Sequence, residues 1–152
     1  MPMVIRAWQN VDLEACTQIY GQCFPKPWTL QDFKTFYASK NICAYVALEE
    51  GELVGFIIAQ TAGQQADIVT LAIHPSFRRK GIAKTLSIFL MDKLFKSKNE
   101  TLFLEVAQSN IGAFSLYQSL GFTVCGKRQF YYDSHEINQE NADVMSISFE
   151  KK

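Results

Sequence analysis

The chain has 152 residues, 48% hydrophobic and 20% charged, which fits one globular domain over residues 1–152 and excludes a disordered chain. Fifteen basic residues balance fifteen acidic ones, so the basic surplus that grips nucleic-acid phosphates is missing and no nucleic-acid partner is expected. No run approaches the ~18 apolar residues of a membrane span, and Met1 to Asp12 has no apolar stretch of signal-peptide type.

Cys16, Cys23, Cys43 and Cys125 form no CxxC pair, and only His74 and His135 stand beside them. Cys16 and Cys23 fall in one predicted helix, about 10 Å apart along its axis, too far to bridge. The expectation is a reduced, cytoplasmic, metal-free protein whose cysteines are buried hydrophobes.

In chain order, Met3–Trp8 reads as a short strand, and Val11–Phe24 carries Leu13, Cys16, Ile19, Tyr20 and Cys23 at helical spacing. Pro25 and Pro27 end that helix. Thr29-Leu30-Gln31-Asp32 opens a second helix as a capping box. Ile42–Leu48 and Leu53–Thr61 form a hairpin across Glu49-Glu50-Gly51-Glu52. Gly63-Gln64-Gln65 turns the chain into Asp67–Ile73, which Pro75 stops. A long helix with Leu86, Phe89, Leu90 and Leu94 follows, then strand Thr101–Val106 and helix Asn110–Leu120. Strands Phe122–Tyr132 and Ala142–Phe149 close the chain around the polar loop Asp133–Asn141. The order β-α-α-β-β-β-α-β-α-β-β puts antiparallel strands first and a strand-helix-strand unit, hence a parallel pair, later. The fold class is α/β: a mixed, mostly antiparallel sheet with a central parallel pair and helices on both faces.

Arg78-Arg79-Lys80-Gly81-Ile82-Ala83-Lys84 lies between a strand and the long helix. A helix start has unpaired N–H groups and a partial positive charge, which suits an anion. Gly81 admits a close approach of the backbone, Ala83 is nearly as small, and Arg79, Lys80 and Lys84 add full charges. That is the composition of a pyrophosphate cradle. The same composition also suits a plain basic helix start on a solvated surface. The GK[ST] of a nucleotide P-loop is missing, which argues against ATP hydrolysis.

The pattern Arg-x-x-Gly-x-Ala, with Pro27-Trp28-Thr29, Leu71 to Pro75, Leu104-Glu105-Val106, Ser109-Asn110, Leu116-Tyr117, Leu120-Gly121-Phe122, Arg128, Tyr131-Tyr132 and Ala142 to Met145, resembles the GNAT (Gcn5-related) N-acetyltransferases. The likeness runs over nearly the whole chain and sharpens toward the bacterial ribosomal-protein alanine N-acetyltransferases of the RimI type. It implies acetyl-CoA as cosubstrate, held by Arg78, Arg79, Lys80, Gly81, Ile82, Ala83 and Lys84 at the pyrophosphate. It also implies that the backbone of Leu71, Ala72 and Ile73 binds the pantetheine arm and that Asn110 hydrogen-bonds the cofactor.

Acetyl transfer to an amine needs a base for the ammonium and a proton for the departing thiolate. Glu105, near the end of its strand, can take the first proton; it reads equally as a strand-end carboxylate in a salt bridge. Tyr117, twelve residues on, packs on its helix and can protonate a thiolate, because a phenol of pKa ~10 lies not far above a thiol of ~8.5. The spacing of the two matches the family's base and acid. Trp28 reads as a core plug, and by resemblance Phe24 and Trp28 wall the substrate groove. One of Tyr131 and Tyr132 faces away from the core and is a candidate peptide contact, while His74 reads as structural.

An α-amino group is over a hundredfold more often neutral at pH 7 than a lysine, given pKa values of ~7.7–8.0 and ~10.4. A single carboxylate base therefore suits a protein N-terminus. The expected activity is Nα-acetylation, with a ribosomal-protein N-terminal alanine as natural acceptor. Acetylation of a lysine or small amine is the alternative, and a non-catalytic CoA-binding module is a third.

Overall fold

The computed structural model describes residues 3–128 and 141–149; Tyr131, Tyr132, His135 and nearly all of the expected polar loop lie outside the described residues. Chain order is β1 (Met3–Ala7), α1 (Leu13–Cys23), α2 (Leu30–Ala38), β2 (Ile42–Glu49), β3 (Glu52–Ala62), β4 (Gln65–Ile73), α3 (Ile82–Lys96), β5 (Thr101–Ala107), α4 (Ile111–Ser119), β6 (Thr123–Arg128) and β7 (Ala142–Ser148). The expected order of elements holds throughout.

Local chemistry sets several boundaries. At α2, Thr29 Oγ1 accepts from the Asp32 N–H at 3.2 Å while Asp32 Oδ2 accepts from the Thr29 N–H at 2.8 Å. The capping box is therefore reciprocal. Between β2 and β3, Glu50 (φ 51°) and Gly51 (φ 82°) are both left-handed, as a two-residue type I′ hairpin requires. His74, expected to be structural, caps a short 3-10 turn by accepting from the Ser76 N–H at its Nδ1, 3.1 Å away.

The strands form one sheet in the order β1-β2-β3-β4-β5-β7-β6. Only β4 and β5 run parallel, with α3 as the crossover that such a pair needs. One face packs α3 and α4 through Leu86, Leu90, Leu102, Leu104 and Tyr117. The other packs α1 and α2 through Leu13, Tyr20, Phe33, Phe56 and Ile58. Val54 to Ala59 of β3 are buried without interruption, because helices cover that strand on both sides.

The parallel pairing is short. It joins Gln65, Ala66 and Asp67 to Thr101, Leu102 and Phe103 and goes no further. Just beyond, Ile58 pairs with Thr70 and Ala59 with Ile68, so Val69 is an extra residue in β4. Such a bulge bends its strand and increases the twist. The second half of β4 therefore turns away from β5, and the sheet opens at its middle.

Candidate active site

The opening between the splayed halves is a cleft of about 550 Å³, within the range of small-molecule sites. Ile68 to Ile73 form one wall and Leu104 to Ala107 the other, with Asn110, Gly112, Ala113, Leu116 and Tyr117 from α4 and Arg78, Arg79 and Ala83 at the start of α3. It lies beyond the carboxyl ends of a parallel pair, where open α/β sheets bind ligands. Having left β5, the second half of β4 keeps its β3 ladder, and every second residue turns its N–H and C=O to the open side.

The start of α3 is electrostatically bare. Its N-cap is Gly81 (φ 78°, ψ 10°), with no side-chain cap and no acidic residue in the first turn. The Gly81 carbonyl accepts from the Thr85 N–H at 3.0 Å and from Thr85 Oγ1 at 2.9 Å, so the N–H groups of Ile82, Ala83 and Lys84 have no intrahelical partner. By contrast α2 carries its capping box, and at α4 Asn110 Oδ1 accepts from the Ala113 N–H at 3.1 Å. Arg79 (φ 65°) is left-handed as well, a conformation a non-glycine side chain adopts at a cost. A polyanion fits here: open N–H donors, the helix dipole and Arg78 and Arg79 at the cleft point the same way.

Glu105 and Tyr117 come together on this cleft. Glu105 is exposed on β5, and Arg128 Nη1 donates to its Oε2 at 2.8 Å, so the salt bridge read from the sequence exists and leaves Oε1 for other work. Tyr117 is only 6% exposed; its ring packs edge-on to Phe122, centroids 5.5 Å apart. The ring packs as the sequence suggested, and the residue also lines the cleft.

The other expected site residues divide. Leu71, Ala72, Ile73, Arg78, Arg79, Ala83, Asn110 and Phe24 line the cleft. Lys80 does not line the cleft; its Nζ lies 5.0 Å from the Phe77 ring centroid. Ile82 points into the core, 2% exposed, and contributes only backbone. Trp28 does not line the cleft; half-buried, it stacks on Tyr20 with centroids 4.6 Å apart.

Three cysteines depart from the expected buried state, Cys43 in β2 being half-buried. Cys125 is exposed, at a bulge in β6 where the register with β7 shifts. Cys23 is half-buried on the cleft wall, because helix α1 ends there against β4. Its thiol donates to the Ile73 carbonyl at 3.4 Å and accepts from Arg78 Nη2 at 3.3 Å. It thereby ties α1, β4 and the basic loop together.

Sequence reading missed Thr70 and the small pair Gly112-Ala113, which line the cleft. The only advance signal was the small size of the last two at a helix start. Thr70 is 2% exposed and its Oγ1 has no hydrogen-bond partner. Partial burial and the nearby charge of Glu105 push the Asp67 carboxyl up from its ordinary value. Among the described residues no group of side chains could hold a metal ion.

A sheet split at its parallel pair beside a bare helix start offers an elongated site for a ligand that ends in a polyanion. Residues 13–122 match the model of the Acetyltransferase (GNAT) family. The chain is 32% identical over 141 residues to the ribosomal protein bS18-alanine N-acetyltransferase of Salmonella typhimurium, covering 91% of this chain and 92% of that one. The crystal structure of the ribosomal-protein-S18-alanine N-acetyltransferase from Escherichia coli superposes with a TM-score of 0.88 at 28% identity, over 99% of this chain and 96% of that one. NAA60 of Arabidopsis thaliana in complex with acetyl-CoA shares the fold, with a TM-score of 0.84 at 19% identity over 97% of this chain and 98% of that one. The chain belongs to the GNAT acetyltransferase family. It is an acyltransferase of N-acetyltransferase type, and it resembles the RimI-type enzymes within that family.

Proposed function

We propose that this chain moves the acetyl group of acetyl-CoA to the α-amino group of a protein N-terminus, with the N-terminal alanine of a ribosomal protein as acceptor. The observation that carries the proposal is the meeting of Glu105 and Tyr117 on one cleft that ends at the bare start of α3. A binding module would need the cradle but not this base and acid, and the names of the relatives supply the acceptor class.

Acetyl-CoA supplies an activated acyl group and a thiolate leaving group. The N–H groups of Ile82, Ala83 and Lys84, with Arg78, Arg79, Lys80 and Lys84, hold the pyrophosphate, and Gly81 lets it come close. The open edge of Leu71, Ala72 and Ile73 holds the pantetheine arm and polarises the carbonyl, while the Asn110 amide nitrogen serves as a donor beside it. Glu105, oriented by Arg128 on one oxygen, takes a proton from the acceptor ammonium on the other. Tyr117 delivers its phenolic proton to the departing sulfur. Phe24 walls the acceptor side, and Tyr131 or Tyr132, outside the described residues, is the proposed peptide contact. A cytoplasmic location belongs to the same proposal; no helix among the described residues is long and apolar enough to cross a membrane.

The test is acetyl transfer to paired peptides, with the modified site located by mass spectrometry. One peptide has a free alanine N-terminus and blocked lysines; its partner has a blocked N-terminus and free lysines. Acetate on the first alone is the expected result. Acetate on the second alone would overturn the acceptor and keep the chemistry, and acetate on neither would overturn both.

A further inference from the structure

Thr70 stands where β4 leaves its parallel neighbour. The ladder with β5 ends at Asp67, Val69 is the extra residue of the bulge, and Thr70 is the first residue back in register, opposite Ile58. Ile58 belongs to the α1–α2 cluster, and directly opposed side chains share a face, so Thr70 projects from that side of the sheet. It lines the cleft at 2% exposure, and its Oγ1 has no hydrogen-bond partner among the described residues. A buried hydroxyl without a partner costs stability that a valine of the same shape would not. A ligand in the cleft is the partner that removes this cost.

The backbone beside Thr70 faces the split. The His74 N–H donates to the Val54 carbonyl at 2.8 Å, which makes Val54 and His74 a hydrogen-bonded pair in the register that runs through Gly55–Ile73 and Ile57–Leu71. Such pairs alternate along an antiparallel ladder, so Leu71 and Ile73 turn their N–H and C=O away from β3, toward the open side. The Cys23 thiol accordingly reaches the Ile73 carbonyl. The anion end of the cleft, at the start of α3, follows Ile73 in the chain, and Leu71 lies about 7 Å further back along the strand. A chain anchored by its pyrophosphate at α3 therefore passes Ile73 before it reaches Leu71. The Thr70 side chain branches from the Cα that precedes the Leu71 peptide bond, so one oxygen accepting from the Leu71 N–H is within reach of the Thr70 hydroxyl.

We propose that the Thr70 hydroxyl is a second donor to the thioester carbonyl oxygen, beside the Leu71 N–H, and that it stabilises the negative charge this oxygen gains during acetyl transfer. The inference rests on the acetyl-transfer reading of the cleft and adds a catalytic residue to it. The amine lone pair forms the C–N bond while the carbonyl π pair moves onto the oxygen, where the Leu71 N–H and Thr70 O–H meet it. That pair returns to the carbonyl as the C–S bond breaks. Sulfur leaves with its bonding electrons and takes the Tyr117 proton, and the surplus proton on nitrogen restores the Tyr117 phenol. A preset donor acts most strongly where water is excluded, as it is at Thr70.

The experiment is isotope-edited infrared spectroscopy of the protein with acetyl-CoA carrying a heavy-carbon label at the acetyl carbonyl, together with steady-state kinetics on the alanine peptide. Thr70→Val keeps the shape and removes the donor. It is expected to move the bound carbonyl stretch to higher frequency than in the wild type, and to lower kcat about a hundredfold while KM for acetyl-CoA stays within about twofold. Its melting temperature stays level or rises, because an unpartnered hydroxyl is gone. Thr70→Ser keeps the hydroxyl and is expected to recover most of the stretch shift and of kcat. An unchanged stretch in Thr70→Val overturns the inference, as does a Thr70→Ser variant that matches Thr70→Val in both readouts. Failure of the acetyl-transfer reading appears separately: the stretch responds to Thr70→Val, but the wild type acetylates neither of the paired peptides, so the donor stands and the transfer falls.

Discussion

Glu105, the proposed base, is also one partner of a salt bridge. Arg128 takes one of its oxygens at 2.8 Å and fixes the carboxylate without filling the cleft. Glu105→Gln keeps the shape and a hydrogen-bonding oxygen but removes the proton acceptor. Turnover on an N-terminal alanine peptide is expected to fall about a hundredfold or more, while acetyl-CoA affinity by titration stays within about twofold. Unchanged turnover would remove Glu105 as the base. Glu105 and Tyr117 were legible in the sequence through their spacing and neighbours. The place of Thr70 on the cleft was not, because a lone threonine in a strand has no local signature. Its direction comes from the register with β3, which pairing alone decides.

At the level of elements, α3 differs from α2 and α4 in leaving its first turn open. The capping box of α2 was readable because Thr29 and Asp32 are three residues apart in the chain. The missing cap at α3 was readable too, as a glycine among cations. A Cβ on Gly81 would meet no protein atom within 4 Å, so crowding by the chain itself is no obstacle. The strain lies in the left-handed backbone, about 1–2 kcal/mol for an L side chain. Gly81→Val is expected to lower stability by about that amount in denaturant titration and to abolish acetyl-CoA binding, since the side chain would occupy the anion's place. Retained binding would sink the cradle. Gly55 is a different case: a Cβ there would lie 2.6 Å from Ile73 Cδ1 and 3.1 Å from the Ala72 carbonyl oxygen. Gly55→Val is expected to displace the end of β4 and to weaken acetyl-CoA binding through the cleft wall. The splay itself was not legible, because nothing in Asp67 to Ile73 tells where a parallel ladder stops.

For the molecule as a whole, two apolar clusters on opposite faces hold the sheet, and one ion pair ties its edge to the first helix. Arg6 grips Asp12 with both nitrogens, at 2.7 and 3.0 Å, and the Gln9 N–H adds a third bond at 2.7 Å. Burial by itself raises the Asp12 carboxyl, but the Arg6 hydrogen bonds, the Gln9 N–H and the Arg6 charge outweigh it and hold the pKa below its ordinary value. The resulting stability is fully present above the unfolded aspartate pKa and is lost as pH falls through the lower, folded one. The melting temperature of the wild type is therefore expected to drop through that acid window more than that of Asp12→Asn; parallel curves would contradict the coupling. Arg6→Ala leaves the buried Asp12 carboxylate with the Gln9 N–H but without its counter-charge, at a cost of about 2 kcal/mol once the partial exposure of Arg6 is allowed for.

The central claim is that the split between β4 and β5, closed at one end by the bare start of α3, is where acetyl-CoA reacts. A crystal structure of the chain with acetyl-CoA tests it most directly. The account expects the pyrophosphate within hydrogen-bond distance of the Ile82, Ala83 and Lys84 N–H groups, and the thioester between the strands, facing Glu105 and Tyr117. A thioester outside the split, or a pyrophosphate away from the α3 start, would contradict it.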